Sequence, residues 1–577
     1  MPEPERRPEA RKGKAAERPS AVRRFLPAAL IVAAALVAYA PVLRAGFVWD
    51  DGVFLTENPL IRASDGLHRF WFTTQQMDYM PLTSSVLWFE WRLWGPHATG
   101  FHIVNVLLHA ASAVLLWRVL LRLKVPGAWL AGLLFALHPV AVQSVAWITE
   151  RKNTLSMVLY LGSILAYLRF EDARFHHDVT TGRTKGIPRS ALHTPHSALR
   201  TSHYLLSLGL FLLALLAKTS VVMLPVILLL LAWWRRGKLA WKNLLRTVPF
   251  FALSLALGLV TMWFQWHQWH QGHNSGVHQM ASPDAASRVA AAGLIAWFYL
   301  YKILLPAGLC AIYPNWSAVG SSVLSFLPIL LLAAATALLW TRRKRWGAGP
   351  LVAWAYFLVS LLPVLGFVHM SFMSLMSTMV ADHLQYTAMP GILALAAALL
   401  ARAAARGRAG RAAVVIVVIC LAAMGALTFR RAGIFENSQL LWADSIEKNP
   451  GSAVAWYALG TARLEVRALP EAIHCFSESL KLNPEYVVAY DNRGVAYYYT
   501  GRYQEAIRDF GNAIALKPDD ADAYSNRAIA DYAVKDYPRA LSDVNSAQRL
   551  GAHPPPDFLR DLAKVAGRPN PALSPAP

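Results

Sequence analysis

The feature that most constrains this chain is a succession of apolar runs, most of them close to twenty residues long, between residues 25 and 429 of 577. An apolar helix of that length reaches across the hydrocarbon core of a bilayer, and in lipid each backbone N–H and C=O must be satisfied within its own segment. The runs fall at about 25–43, 101–121, 127–147, 153–170, 204–217, 219–234, 248–264, 289–305, 322–340, 349–368, 388–402 and 412–429. With 55% hydrophobic and only 16% charged residues, the composition is that of a polytopic membrane protein and excludes a soluble enzyme.

Charge orients the runs. The net +22 gathers in short Arg/Lys clusters beside apolar stretches, which marks cytoplasmic flanks; a nucleic-acid surface would be a broad basic face with aromatics, so no nucleic acid is expected. Residues 1–24 read as a disordered basic tail in the cytoplasm, ahead of an uncleaved first helix. If 289–305 crossed, Arg342-Arg343-Lys344-Arg345 and the Arg-rich stretch 402–411 would both face outward. A dip without crossing puts them inside and leaves about eleven crossings. Cys310, Cys420 and Cys475 lie far apart and suggest neither disulfides nor zinc. In Trp266-His267-Gln268-Trp269-His270-Gln271-Gly272-His273 a His recurs every third position, but with no carboxylate partner a polar interfacial loop is expected and no metal.

Beyond residue 429 the pattern changes. Pro450, Pro484 and Pro518 recur every 34 residues, the period of tetratricopeptide helix pairs. Aromatics repeat at Trp456, Tyr490 and Tyr524, small residues at Gly460, Gly494 and Ala528, alanines at Ala472, Ala506 and Ala540, and apolar residues at Phe476, Phe510 and Val544. The fold class is therefore all-α: a polytopic helical bundle over 25–429, with a first external loop at 44–100, then an α-solenoid over 430–568. Its units are at about 451–484, 485–518 and 519–552, and a disordered tail covers 569–577.

Four charged features share the outer face under this topology: Asp50 and Asp51 after the first helix, Glu150-Arg151-Lys152, Lys218 at the tip of an apolar hairpin, and Asp382-His383. A carboxylate can take a proton from an acceptor hydroxyl, and clustered cations can neutralise a departing phosphate. Together they point to glycosyl transfer from a lipid phosphate. An ionisable group such as Lys218 near the membrane core is a functional candidate, with snorkelling to the interface as the plain alternative. The aromatics Trp71, Phe72, Tyr79, Trp88, Phe89, Trp91 and Trp94 read mostly as an interfacial belt.

Several motifs carry a resemblance. Phe47-Val48-Trp49-Asp50-Asp51 with Asn58-Pro59, Pro81-Leu82-Thr83, and Gly100-Phe101-His102-Ile103-Val104-Asn105-Val106-Leu107-Leu108-His109 resemble the membrane half of the transmembrane and tetratricopeptide-repeat O-mannosyltransferases and their bacterial relatives. So do His138-Pro139-Val140, Ser144-Val145-Ala146-Trp147, Glu150-Arg151-Lys152 and Ala217-Lys218 with Leu224-Pro225. The chain departs from that pattern at Gln143 and Asn153, where an acidic residue is frequent, at Asp382-His383-Leu384 in place of Asp-Arg-Tyr, and at Met80 in place of an arginine.

The resemblance implies the GT-C architecture, with an acidic residue of the first external loop acting on a polyprenyl-phosphate sugar and no other cofactor. The expected function is a membrane glycosyltransferase, inverting, that moves a sugar such as mannose to a hydroxyl acceptor, a protein or peptide held by the repeats, in a bacterial inner membrane with the repeats outside. Asp50 is expected as base and Asp51 as its partner; Arg151, Lys152 and Lys218 as phosphate ligands; Asn58, Glu150, Asp382 and His383 as further donor or acceptor contacts. The rival from another class is a membrane-anchored scaffold without catalysis, against which stands the size of the membrane part, since an anchor needs one helix. A transporter of lipid-linked sugars would need a charged path through the spans, and none is visible.

Overall fold

The computed structural model describes residues 21–76, 78–181, 195–270, 284–316, 322–367 and 378–565. The tail 1–24 up to residue 20, residues 182–194 of the polar loop, His273 and the tail 569–577 lie outside the described residues. Among those described, every regular element is helical.

The membrane part begins with α1 (Ala21–Ala38). The first external loop folds into α2 (Pro59–Arg62), α3 (Gly66–Phe72) and α4 (Pro81–Trp94). Then come α5 (Ala98–Arg122), α6 (Ala128–Ala136), α7 (Val142–Ala146), α8 (Arg151–Thr181), α9 (Pro195–Ala217), α10 (Leu224–Arg236), α11 (Trp241–His270), α12 (Ala285–Leu304), α13 (Leu327–Trp346), α14 (Gly349–Leu361), α15 (Met389–Ala404) and α16 (Gly407–Ile434). Among the described residues five helices are long and apolar enough to cross a membrane: Ala98–Arg122, Thr219–Arg236, Trp241–Gln268, Val323–Trp346 and Gly410–Ile434. The bent pair α6–α7 makes a sixth if counted as one span. Phe25–Ala38, Thr201–Ala217, Gly349–Val364 and Met389–Ala404 are shorter apolar helices, and α8 and α12 fall in neither set.

The apolar segments break at two places where the chain turns toward the site, one inside the run expected as continuous and one at the hairpin tip expected at Lys218. The run 127–147 bends by 48° between α6 and α7. Pro139 lacks an N–H and forces His138 into extended backbone, which ends α6. His138 then repairs the break: its Nδ1 accepts from the Val140 N–H at 3.3 Å and its Nε2 donates to the Ile303 carbonyl at 2.9 Å. At the second break Lys218 is extended between α9 and a 3₁₀ turn, Thr219–Met223, and Thr83 caps the freed Ala217 carbonyl at 2.9 Å.

The first external loop has a core of its own, so most of its aromatics are not a belt. Leu55, Leu60, Ile61, Phe70, Leu87, Trp88 and Phe101 pack together with Ile148 of the site, and Trp71, Trp91 and Trp94 lean on them. The Trp88 indole donates to Ala63 at 3.0 Å while Arg92 lies 3.1 Å over its ring. A side chain on Gly66 would meet the Leu60 carbonyl and this indole, so only glycine lets α3 pack here. Phe72 and Phe89 do stay exposed. The His-bearing stretch also differs from the loop expected: α11 runs through to His270, with His267 stacked on Trp263 one turn earlier and Gln268 tied to the Thr74 carbonyl.

After α16 the chain continues through α17 (Ser438–Lys448) into three helix pairs: α18 (Ala453–Glu465) with α19 (Leu469–Leu482), α20 (Val487–Tyr499) with α21 (Tyr503–Leu516), and α22 (Ala521–Ala533) with α23 (Tyr537–Arg549). A final helix, α24, spans Pro556–Val565. Within the first two pairs a phenylalanine sits where a glycine's Cβ would be, Phe476 against Gly460 and Phe510 against Gly494. The third pair restores the volume balance with Ala528 opposite the smaller Val544. Arg493 grips Asp509, and Arg527 grips Asp543, each through two nitrogens.

Candidate active site

One face of α5 organises the site. His102, Asn105 and His109 lie three and four residues apart, hence on the same side of the helix, and all are buried. His102 Nε2 donates to the Gly46 carbonyl at 3.2 Å, Asn105 Nδ2 to the Trp147 carbonyl at 3.2 Å, and His109 Nε2 to the Ala136 carbonyl at 3.2 Å. The Nδ1 of His109 takes the Tyr386 hydroxyl at 2.7 Å. One helix thus holds the first external loop, the stretch after α7 and the end of α6 in register. Only the regular spacing of polar residues in an apolar run announces this role in the sequence.

Trp49 bends the chain at the first of these. Its φ of +59° is left-handed, a conformation that costs a bulky residue about 1–2 kcal/mol. The indole is stacked on Trp147 at 4.2 Å, with 7° between the planes, and meets the edge of Trp442 of α17 at 4.9 Å. The turn sends the two aspartates different ways. Asp51 is fully buried, one oxygen accepting from the Val48 N–H at 3.0 Å and the other from the Thr149 N–H at 2.9 Å. Asp50 is half-buried and accepts from the Thr149 hydroxyl at 2.8 Å. Burial pushes the Asp50 carboxyl up to about 6 against the pull of Lys152, and Asp51 higher still, to about 8, despite its backbone bonds.

Beside Asp50 lies a cluster of opposite charges. Glu150 is buried and faces Lys152 at 3.0 Å, Lys218 at 3.8 Å and His383 at 3.9 Å. Burial opposes its ionisation, but His383, Lys152 and Lys218 around it hold the carboxyl well below its ordinary value. Asn153 is the hub: its Oδ1 accepts from Lys218 at 2.5 Å, and its Nδ2 reaches Glu150, the Ser144 hydroxyl at 3.1 Å and the His383 carbonyl at 3.2 Å. Gln143 accepts from the His383 N–H at 3.1 Å. The side chains of Lys152 and Lys218 remain 14% and 12% exposed, and burial brings the Lys218 ammonium down to about 8. Asp78, not singled out from the sequence, adds a carboxylate whose field reaches both lysines.

The remaining expected site residues sit elsewhere. Arg151 is fully buried and turned away from Lys152 and Lys218. Its guanidinium pairs with Glu90 and donates to Asn105 Oδ1 at 2.5 Å and the Phe101 carbonyl at 2.7 Å, leaving it the joint between α4, α5 and α8. Asn58 caps α2, accepting from the Leu60 N–H at 2.9 Å. Asp382 is buried between Arg431 at 2.8 Å and the Tyr313 hydroxyl at 2.7 Å, tying its loop to the end of α16. His383 stays in the cluster, where burial lowers its imidazole to about 3 against the pull of Glu150. Among the described residues no group of His, Cys, Asp or Glu could hold a metal ion.

The repeats share this face. The Gly46 N–H donates to the Glu436 carbonyl at 2.9 Å, Lys448 to the Leu309 carbonyl at 2.9 Å and Asn449 to the Ile312 carbonyl at 3.2 Å.

A family model described as the TPR repeat matches residues 496–535. A human protein O-mannosyl-transferase, TMTC4, is 32% identical over 178 residues, covering 26% of this chain and 24% of its own. The chain is similar to protein O-mannosyl-transferases. One from Drosophila melanogaster, Tmtc2, is 34% identical over 156 residues, 23% of this chain and 16% of its own, and one from Caenorhabditis elegans is 24% identical over 155 residues, 24% and 22%. The match thus spans a quarter or less of these relatives' length. Among solved structures, an oligosaccharyltransferase from Archaeoglobus fulgidus superposes over 72% of this chain and 57% of its own at 12% identity, with a TM-score of 0.39, too low to carry an argument.

Proposed function

We propose that this chain is a membrane glycosyltransferase that moves a sugar, mannose by the names of its relatives, from a polyprenyl-phosphate carrier to a hydroxyl of a protein acceptor on the face bearing Asp50. The observation that carries the reading is one half-buried carboxylate, Asp50, within the field of partly exposed Lys152, which shares Glu150 with partly exposed Lys218, while α17, leading into the helical repeats, packs on the same loop. Asp50 takes the acceptor proton as the hydroxyl oxygen bonds to the anomeric carbon. The bond from that carbon to the carrier's phosphate oxygen breaks, and the phosphate departs toward Lys152 and Lys218. In-line attack inverts the anomeric configuration. Asp51 and Arg151 position rather than react, because their polar atoms are spent inside the protein.

This reading keeps about eleven crossings, with α12 dipping in without traversing, the amino terminus in the cytoplasm and the repeats outside. The charge clusters support it, and a bacterial inner membrane rests on the resemblance to bacterial relatives alone. A reporter fused within the repeats should read as external and one at Arg345 as cytoplasmic. The direct test is release of free polyprenyl phosphate from a defined lipid-linked mannose by purified protein with a peptide acceptor. Release by wild type and none by Asp50→Asn supports the reading; equal release by both, or none by wild type across lipid-linked sugars, leaves the scaffold reading in its place.

A further inference from the structure

At the end of the bundle opposite Asp50 lies a cavity of about 310 Å³ that the proposed reaction does not use. Helices α5 and α15 fix its position: each passes the level of the site, at His102 and Met389, and runs to the cavity mouth, reached at Lys124 just beyond the end of α5 and at Arg402 in the last turn of α15. From Gly391 to Arg402 the wall runs about 16 Å at 1.5 Å per residue. At Gly391 this wall packs tightly against α14, since a Cβ there would meet the Ala353 carbonyl at 2.6 Å and the Tyr356 ring at 2.8 Å. The walls are apolar, and two indoles, Trp234 and Trp346, stand near the opening.

The mouth has one sign of charge. Lys124 and Arg402 both line it and are exposed, neither carries an ion pair among the described residues, and no Asp or Glu lines the cavity. Lys124 also occupies the left-handed position that closes α5, its N–H bonded to Leu121 and that of Val125 to Leu120. Glycine ordinarily fills that place at no steric cost. An apolar cavity with two cations at its mouth fits an anionic amphiphile with a slender tail. A zwitterionic headgroup would bring an ammonium with no carboxylate to meet it. A branched polyprenyl tail is far longer than this wall of about 16 Å.

We propose that this cavity is a binding site for one anionic glycerophospholipid, with an acyl chain inside and the phosphate on Lys124 and Arg402. The test uses the purified full-length protein, delipidated in detergent and titrated with phosphatidylglycerol, phosphatidylethanolamine of the same acyl chains, or undecaprenyl phosphate, with adducts counted by native mass spectrometry. Phosphatidylglycerol should be retained one to one, at least tenfold above phosphatidylethanolamine. The Lys124→Gln/Arg402→Gln variant should lose that preference tenfold, and Ala398→Phe should abolish the adduct with both cations in place, while release of polyprenyl phosphate at the other face is unchanged. Equal retention of the two phospholipids, an unaltered adduct in either variant, or displacement by equimolar undecaprenyl phosphate would overturn the assignment. The outcome is independent of whether Asp50 is a base.

Discussion

Neighbouring carboxylates, one held by two backbone N–H groups and the other by a side-chain hydroxyl, should behave differently when neutralised. Asp50→Asn is expected to abolish transfer with expression and thermal stability unchanged. Asp51→Asn turns one amide N–H toward an NH₂ group in place of an acceptor, which should cost about 1–3 kcal/mol of stability, read as a lower melting temperature. If Asp51→Asn alone stopped turnover without any thermal shift, the roles would be exchanged. The pH profile follows from the same pair. The base must be ionised, and burial raises Asp50 to about 6, so kcat/KM should fall about tenfold per pH unit below 6 and level off above it. Both carboxyls bind protons more tightly folded than unfolded, so their contribution to stability declines as pH rises from 3.8 to about 8.

Arg151 offers the sharpest separation of fold from chemistry. Glu90→Leu would strand a buried guanidinium and should cost about 3–5 kcal/mol, whereas Glu90→Leu with Arg151→Met should recover most of it. Donor affinity measured in that double variant is expected to match wild type; a well-folded double variant that no longer binds the lipid-linked sugar would return Arg151 to the phosphate. The Asp50-Asp51 pair could be picked out from sequence because it stands where an apolar run ends. Asp50 as the base is an expectation from sequence too, but the difference in burial between the two was not legible, since it depends on the left-handed Trp49 and on Thr149, nearly a hundred residues away. Arg151 looked like a phosphate ligand beside Lys152 because its partner Glu90 lies in another helix, and Asp78 sits in a loop with no pattern to mark it.

Among the elements, α17 is the one that binds the two halves together. Trp442 caps the Trp49–Trp147 stack, and an aromatic pair of this kind contributes about 0.5–1.5 kcal/mol beyond its burial. Trp442→Ala should therefore lower kcat several-fold with little change in KM for the lipid-linked donor, and Trp442→Phe should restore most of the loss. A change confined to KM would show that α17 touches the donor instead. The breaks at Pro139 and Lys218 show how far element boundaries could be read: the lysine marked the interruption between two apolar runs, whereas Pro139 stood inside a run that reads as continuous. The core inside the first external loop was hidden for another reason. Its aromatics have the composition of an interfacial belt, and only the close approach at Gly66 and the cap on Ala63 distinguish the two.

Across the whole molecule, the repeat period was plain because each unit buries its face only against the next, which fixes large and small residues at constant spacing. Where the array docks was not, because the joints at Glu436, Lys448 and Asn449 are single hydrogen bonds to backbone carbonyls and amides that leave no pattern. If the array selects the acceptor, removing 452–577 while keeping α17 should spare transfer to a small soluble acceptor and reduce transfer to the protein acceptor by about 10²–10⁴-fold, the loss of a tethered site's effective concentration. Equal loss on both acceptors in a well-folded truncation would make the array a structural support.

The bond between Gly46 and Glu436 has a consequence in time as well as in space. Its two ends are made 390 residues apart, and at roughly 5–20 residues per second the ribosome takes on the order of tens of seconds to a minute or more to pass from one to the other. Through that interval the loop bearing Asp50 has neither its Glu436 anchor nor the edge of Trp442 against Trp49. The nascent chain thus acquires a finished site only after its last membrane helix has been inserted, so a chain truncated or stalled in the membrane carries both aspartates without the frame that aims them.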